Sequence, residues 1–339
     1  MVVTRGQTTE ALAIWLQQHT APVVAPVETT RIGAGQSNIT MLVRDAGGSA
    51  WILRRPPPGA RDRTAHDMHR EARVLRALAV TDVPVPAVVA TGEDAAGIDG
   101  PFYVMQRATG VALADETDAE PLTPDERRSL GHDAVSVLAT IHSVDVDDIG
   151  LGDLGPREDF LGRQIRRTVR NWAAWGEGSE EAAEWEECRR RLERSCPVQQ
   201  RSVLTHGDYR LSNLLVDRGR ITAVLDWELC ALGDPLADVA WLLDDWRSPS
   251  EPAIAMASPT RVGGFPARAT LVEEYAARTG LDLADIDRYR AFTHWKAATL
   301  LQGAVRRRRS GVLGDHGTIA DKELQHAVAF LLHEALALI

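Results

Sequence analysis

The run His206-Gly207-Asp208-Tyr209-Arg210-Leu211-Ser212-Asn213 sets an aspartate and an asparagine five residues apart, and Asp226-Trp227-Glu228 begins 13 residues after Asn213. Short apolar stretches frame these residues. Val203-Leu204 precedes them, and Leu214-Leu215-Val216 and Ile221-Thr222-Ala223-Val224-Leu225 lie between, joined as a hairpin through Asp217-Arg218-Gly219-Arg220. The pattern predicts two carboxylates and one amide at the open end of a small sheet. Oxygen donors of this kind suit Mg²⁺, which dehydrates reluctantly and takes carboxylates together with phosphate oxygens. An acidic loop with an Asx turn is the plainer reading of any one of these residues, and a poorer one of all three.

Several elements must position this set. Arg31-Ile32-Gly33-Ala34-Gly35-Gln36-Ser37-Asn38 runs into Ile39-Thr40-Met41-Leu42-Val43. A dinucleotide fold needs a helix straight after such glycines. Here a strand follows, which favours a hairpin folded over phosphates, since backbone N–H groups approach closely where no side chain intervenes. A plain glycine turn remains the alternative. A turn at Asp45-Ala46-Gly47-Gly48 leads to a third strand, Trp51-Ile52-Leu53-Arg54, which Pro56-Pro57-Pro58-Gly59 stops. Helical spacing over about 64–79 puts Met68, Ala72, Leu75 and Leu78 on one stripe with Glu71 among them, and a carboxylate on such a face needs a partner. Pro101 to Met105 reads as a further strand.

The rest is mostly helical. Thr123-Pro124-Asp125-Glu126 is a helix start with Thr as cap, Pro at the first position and Glu at the third. Residues 160–195 carry Trp172, Trp175 and Trp185 on an expected amphipathic pair, and Asp234-Pro235 opens another helix. The fold class expected is α+β, two-lobed. Residues 1–108 form a small β-rich lobe with the glycine loop, and 109–339 a larger helical lobe.

Composition narrows the class. Of 339 residues, 44% are hydrophobic and 25% charged, which excludes a disordered, collagen-like or coiled-coil chain. Apolar runs fall far short of about 18 residues, and Met1 to Glu10 lacks an apolar secretory core, so no membrane partner is expected. Cys188, Cys196 and Cys230 show no metal or redox spacing and read as free thiols of a cytoplasmic protein. A net charge of −10 argues against a nucleic-acid partner. Residues 1–108 hold 11 Arg against 10 acidic side chains, and 109–339 hold 27 basic against 38 acidic, so the acidity belongs wholly to the second part. Only Lys296 and Lys322 are lysines.

In order and spacing, H-G-D-x-x-x-x-N, D-W-E and G-D-P-L-A-D resemble the aminoglycoside phosphotransferase and choline kinase group of kinase-like enzymes. The branch most similar is the phosphotransferase domain of acyl-CoA dehydrogenase family members 10 and 11, where R-x-G-x-G-Q-S-N and L-R-R-P-P-P-G also occur. The resemblance covers about residues 27–310. It implies a protein-kinase-like fold and transfer of the ATP γ-phosphate to a hydroxyl of a small molecule, with Mg²⁺. Asp208 takes the place of the catalytic aspartate, and Asn213 and Asp226 those of the Mg²⁺ ligands. Arg54 stands where the family carries a phosphate-contacting lysine, with Glu71 as its ion-pair partner. Gly33, Gly35, Ser37 and Asn38 belong to the phosphate loop. Met105 borders the adenine, and Gln106 and Ala108 offer backbone hydrogen bonds. Arg for Lys keeps the charge but is bulkier and forked, so a non-catalytic nucleotide-binding module is an alternative.

Other residues have two readings. His206 orients the loop rather than transferring protons, His142 is a cap or core histidine, and Asp234 is a helix cap. Glu228 stands behind the metal or caps backbone. Tyr209 and Arg210 face the acceptor side, with substrate contact and a purely structural role as their two readings. Arg306-Arg307-Arg308-Arg309 is a solvated helix face or an anion patch for a CoA thioester. A protein kinase is not expected, because Gly233-Asp234-Pro235 follows D-W-E too soon for an activation segment and no A-P-E motif follows. The branch implies a hydroxyacid or hydroxyacyl-CoA acceptor. An aminoglycoside or other antibiotic is the alternative that the acidic second part would suit.

Overall fold

The computed structural model describes residues 5–20, 22–32, 38–57, 67–309 and 319–339. The chain divides into two compact units: Met1–Thr109 with Thr222–Glu228, and Gly110–Ile221 with Leu229–Ile339. The expected division at residue 108 left out the return of Thr222–Glu228 to the first unit. No break in composition marks that segment.

The first unit holds α1 (Arg5–His19), β1 (Val27–Ile32), β2 (Ile39–Asp45), β3 (Ala50–Arg55), α2 (Met68–Leu78), β4 (Val88–Ala95) and β5 (Ile98–Gln106). The strands form an antiparallel sheet of order β1-β2-β3-β5-β4. Register sets Arg54 opposite Thr40 on one side and Tyr103 on the other. Leu12 and Leu16 of α1 pack with Val27, Val43, Leu53, Phe102 and Val104. Each such side chain contributes about 1.5–3 kcal/mol when fully buried. Helix α1 has no counterpart among the elements expected from the sequence. The expected helix over 64–79 is present as α2, capped by Asp67 accepting from the Arg70 N–H at 2.9 Å, with residues 64–66 outside the described residues.

The second unit begins with β6 (Val111–Ala112), α3 (Glu116–Ala119) and α4 (Pro124–Ser143). Thr123 and Glu126 cap α4 reciprocally, with Glu126 Oε2 2.8 Å from the Thr123 N–H. Next come α5 (Phe160–Trp175), α6 (Ala182–Arg194), β7 (Val203–Thr205), β8 (Leu214–Asp217) and β9 (Arg220–Val224), within which the chain leaves this unit. It re-enters for β10 (Ala231–Gly233), α7 (Pro235–Asp245), α8 (Arg268–Thr279), α9 (Ile286–Arg309) and α10 (Asp321–Ala337). The Trp172 and Trp185 rings stack at 4.6 Å, and Trp295 of α9 lies 4.8 Å from Trp185, so α5, α6 and α9 share one aromatic core. The fold is mixed α+β. No helix among the described residues is long and apolar enough to cross a membrane.

Candidate functional site

In the first unit the central residue is Arg54, buried at the end of β3. Its Nη1 lies 3.0 Å from Glu71 Oε1 on α2, and its Nη2 donates to Asp226 Oδ1 at 3.0 Å. Glu71 was expected to need a partner on its apolar stripe, and Arg54 is that partner. One cation therefore faces two carboxylates. Burial, with the Asp226 charge, pushes Glu71 up to about 7 against the pull of Arg54. Asp226 adopts a left-handed backbone at φ +64°, a region that Asp tolerates better than most side chains. Its carboxylate is one-third exposed, and Oδ2 accepts no hydrogen bond among the described residues. Asn38 is buried and donates to Glu228 Oε2 at 2.9 Å, which ties the start of β2 to the D-W-E segment.

In the second unit the His206–Asn213 loop hangs on Asp238 of α7. Asp238 accepts the His206 N–H at 2.6 Å on Oδ2 and the Gly207 N–H at 2.8 Å on Oδ1, with His142 Nε2 at 3.2 Å from Oδ2. Burial alone would raise the Asp238 carboxyl, but these partners hold it below the ordinary carboxylate value. Gly207 has φ +83°, and a Cβ there would sit 2.6 Å from the Leu229 carbonyl, so only glycine makes this bend. The turn ends with the Asp208 N–H donating to His206 Nδ1 at 3.2 Å.

Asp208 is held at both oxygens. Trp241 Nε1 of α7 donates to Oδ1 at 2.7 Å, and Asn213 Nδ2 donates to Oδ2 at 2.8 Å and to the Asp208 carbonyl at 2.9 Å. This orientation leaves Asn213 Oδ1 without a hydrogen bond among the described residues. Asn213 and Asp226 each retain a hard oxygen donor, the kind that Mg²⁺ takes alongside phosphate oxygens. No group of three or more His, Cys, Asp or Glu able to hold a metal occurs among the described residues.

The remaining expectations divide. Gly33, Gly35 and Ser37 lie outside the described residues. Met105 is buried on β5, and Ala108 follows it with no backbone hydrogen bond among the described residues. The Gln106 N–H is committed to the Ala87 carbonyl at 2.8 Å and is therefore not free for a ligand. Of the two residues expected on the acceptor side, Tyr209 is enclosed in the core, and Arg210 is partly exposed and ion-paired. Tyr209 is buried with its hydroxyl on the Ala134 carbonyl at 2.9 Å, and Arg210 Nη2 is held by Asp245 at 2.9 Å. His142 is a core histidine, 2.6 Å from the Tyr275 hydroxyl, and Asp234 caps α7 through the Leu236 N–H at 3.0 Å. The arginines at the end of α9 are engaged by Glu177, Trp175 and Asp321, as on an ordinary solvated face. Asp238 and Trp241 are functional neighbours of the loop that were not among the expected site residues. The signal for Asp238 was its place in G-D-P-L-A-D, and nothing in the sequence pointed to Trp241.

The profile of the phosphotransferase enzyme family matches residues 28–292, and the chain belongs to that family. Among particular relatives, it is 34% identical over 301 residues to acyl-CoA dehydrogenase family member 10 of Mus musculus, covering 84% of this chain and 27% of that protein. It is 29% identical to family member 11 of Homo sapiens, covering 88% of this chain and 39% of that protein. The chain thus spans well under half the length of these relatives. Hygromycin-B 4-O-kinase of Escherichia coli is 26% identical over 214 residues, 58% of this chain and 56% of that one. A solved aminoglycoside phosphotransferase candidate from Ralstonia eutropha superposes with a TM-score of 0.78 at 30% identity, covering 97% and 98% of the two chains. Aminoglycoside phosphotransferase APH(4)-Ia, solved with AMP-PNP and hygromycin B, shares the fold with a TM-score of 0.61 at 20% identity over 96% and 98%.

Proposed function

We propose that the protein transfers the γ-phosphate of ATP to a hydroxyl of a small molecule in the presence of Mg²⁺. The observation that carries this reading is the Asp208 carboxylate, fixed at one oxygen by Trp241 and at the other by Asn213. A carboxylate so held is oriented in advance, which phosphoryl transfer requires, because its loose transition state depends on positioning and charge more than on covalent work. Asp208 orients the acceptor hydroxyl and takes up its proton. Arg54, pinned by Glu71 and Asp226, supplies the positive charge for the donor phosphates. Asp226 and Asn213 are the residues that would hold Mg²⁺, which when bound offsets phosphate charge. Gly33, Gly35, Ser37 and Asn38 form the phosphate loop in this reading. Met105 lies against the adenine, and Gln106 and Ala108 offer it main-chain groups, for Gln106 the carbonyl only. The acyl-CoA names of the longer relatives favour a hydroxyacid or hydroxyacyl-CoA acceptor, in a cytoplasmic setting.

The test is transfer of label from γ-labelled ATP to hydroxyacid, hydroxyacyl-CoA, choline and aminoglycoside acceptors, with and without Mg²⁺. Mg²⁺-dependent labelling of one acceptor class is expected. Bound ATP with no transfer to any class would instead support the non-catalytic nucleotide-binding reading.

A further inference from the structure

The second unit contains a cavity of about 120 Å³ beside the Asp208 loop, with Gly207 and Trp241 in its wall. Its charge is opposite to that of the surrounding chain. Lys296 of α9 and Arg167 of α5 both line it, and neither has a carboxylate at ion-pair distance among the described residues. The only carboxylate in the lining is Asp238, whose two oxygens are already taken by backbone N–H groups and His142. Lys296 Nζ sits 4.7 Å from the centre of the Trp241 ring, the same indole that donates to Asp208. Phe292 and Leu300 complete an apolar wall, and the Asn171 amide makes no hydrogen bond among the described residues.

Lys296 is half-buried and Arg167 is exposed, and the carboxylates near Lys296, those of Asp208 and Asp238, already accept hydrogen bonds, so an anionic ligand would find both cations available. Burial, with the Arg167 charge, pulls the Lys296 ammonium below its ordinary value despite Asp208 and Asp238 nearby. A cationic acceptor would meet like charge here. The volume also falls below the roughly 300–1,000 Å³ of sites that take drug-sized ligands. The walls fit a short apolar chain ending in a carboxylate.

On the phosphotransferase reading above, we propose that Lys296 and Arg167 form a subsite for the free carboxylate of a short aliphatic hydroxyacid, whose hydroxyl end lies toward Asp208. The acceptor would then be the free acid rather than its thioester, in which that charge is lost. Lys296 is the specificity-determining residue, because it links the anion to the indole that holds Asp208.

The test uses binding, which needs no transfer. Calorimetry with the full chain and MgADP would compare 4-hydroxybutyrate with its neutral amide, in wild type, Lys296→Met and Lys296→Arg. The acid is expected to bind wild type at least about tenfold more tightly than the amide, the scale of one charge-assisted hydrogen bond. Lys296→Met should remove that preference and Lys296→Arg keep most of it, with ADP affinity unchanged as proof of folding. Equal affinity for acid and amide, no binding of the acid at millimolar concentration, or an unaffected Lys296→Met variant would each overturn the subsite. A Lys296-dependent preference for the acid, without any transfer of γ-phosphate, would sink the transferase reading and leave the subsite standing.

Discussion

The indole N–H of Trp241 meets Asp208 Oδ1 at 2.7 Å, and its ring lies beneath the ammonium of Lys296 at 4.7 Å. One side chain of α7 thus fixes the proposed base on one edge and carries a cation on its face. Trp241→Phe keeps a flat ring and removes the N–H. Loss of one hydrogen bond to a charged group is worth about 1.5–3 kcal/mol, so turnover should fall by roughly 10- to 100-fold. ATP affinity should not change, and steady-state kinetics with nucleotide titration separates the two.

Arg54 is buried between Glu71 and Asp226. Arg54→Met would leave both carboxylates without their cation, a change that costs about 3–5 kcal/mol when a buried pair is broken. Glu71, already raised to about 7, should then take a proton at neutral pH. Denaturant unfolding should show the loss. An unfolding midpoint equal to wild type would mean that the triad contributes no net stability.

Asp238 predicts an acid limb. Its folded value lies below the ordinary carboxylate value, so its stability is present above the unfolded value of about 3.9 and is lost as pH falls through the lower folded value. Asp238→Asn should therefore be less stable than wild type at neutral pH. The gap should close below about pH 4, as melting curves across pH would show.

Gly207→Ala places a methyl group 2.6 Å from the Leu229 carbonyl at φ +83°. Strain of this kind costs on the order of 1–3 kcal/mol, and relief requires the Asp208 loop to move. The variant should lose turnover beyond its loss of stability. A change in Tm alone would mean that the bend serves only folding.

The sequence carried much of this. The cap on α4 and the strand ending at Arg54 were legible because local chemistry decides them: a Thr–Glu box and an apolar run stopped by prolines. Glu71 was legible because a carboxylate on a buried stripe demands a partner. What escaped depended on contacts far apart in the chain. Trp241 reaches Asp208 across 33 residues and Asp238 reaches the loop across 31 and 32. Tyr209 lies in the core rather than on the acceptor side because its hydroxyl finds the Ala134 carbonyl, a partner 75 residues away in the chain.

The most direct test of the central claim compares wild type with Asp208→Asn for transfer of γ-phosphate to an accepted hydroxyl compound, with ATP affinity measured in parallel. The account predicts unchanged ATP binding and transfer reduced by at least about a hundredfold, the low end for loss of a general base. Transfer near the wild-type rate in Asp208→Asn would contradict it.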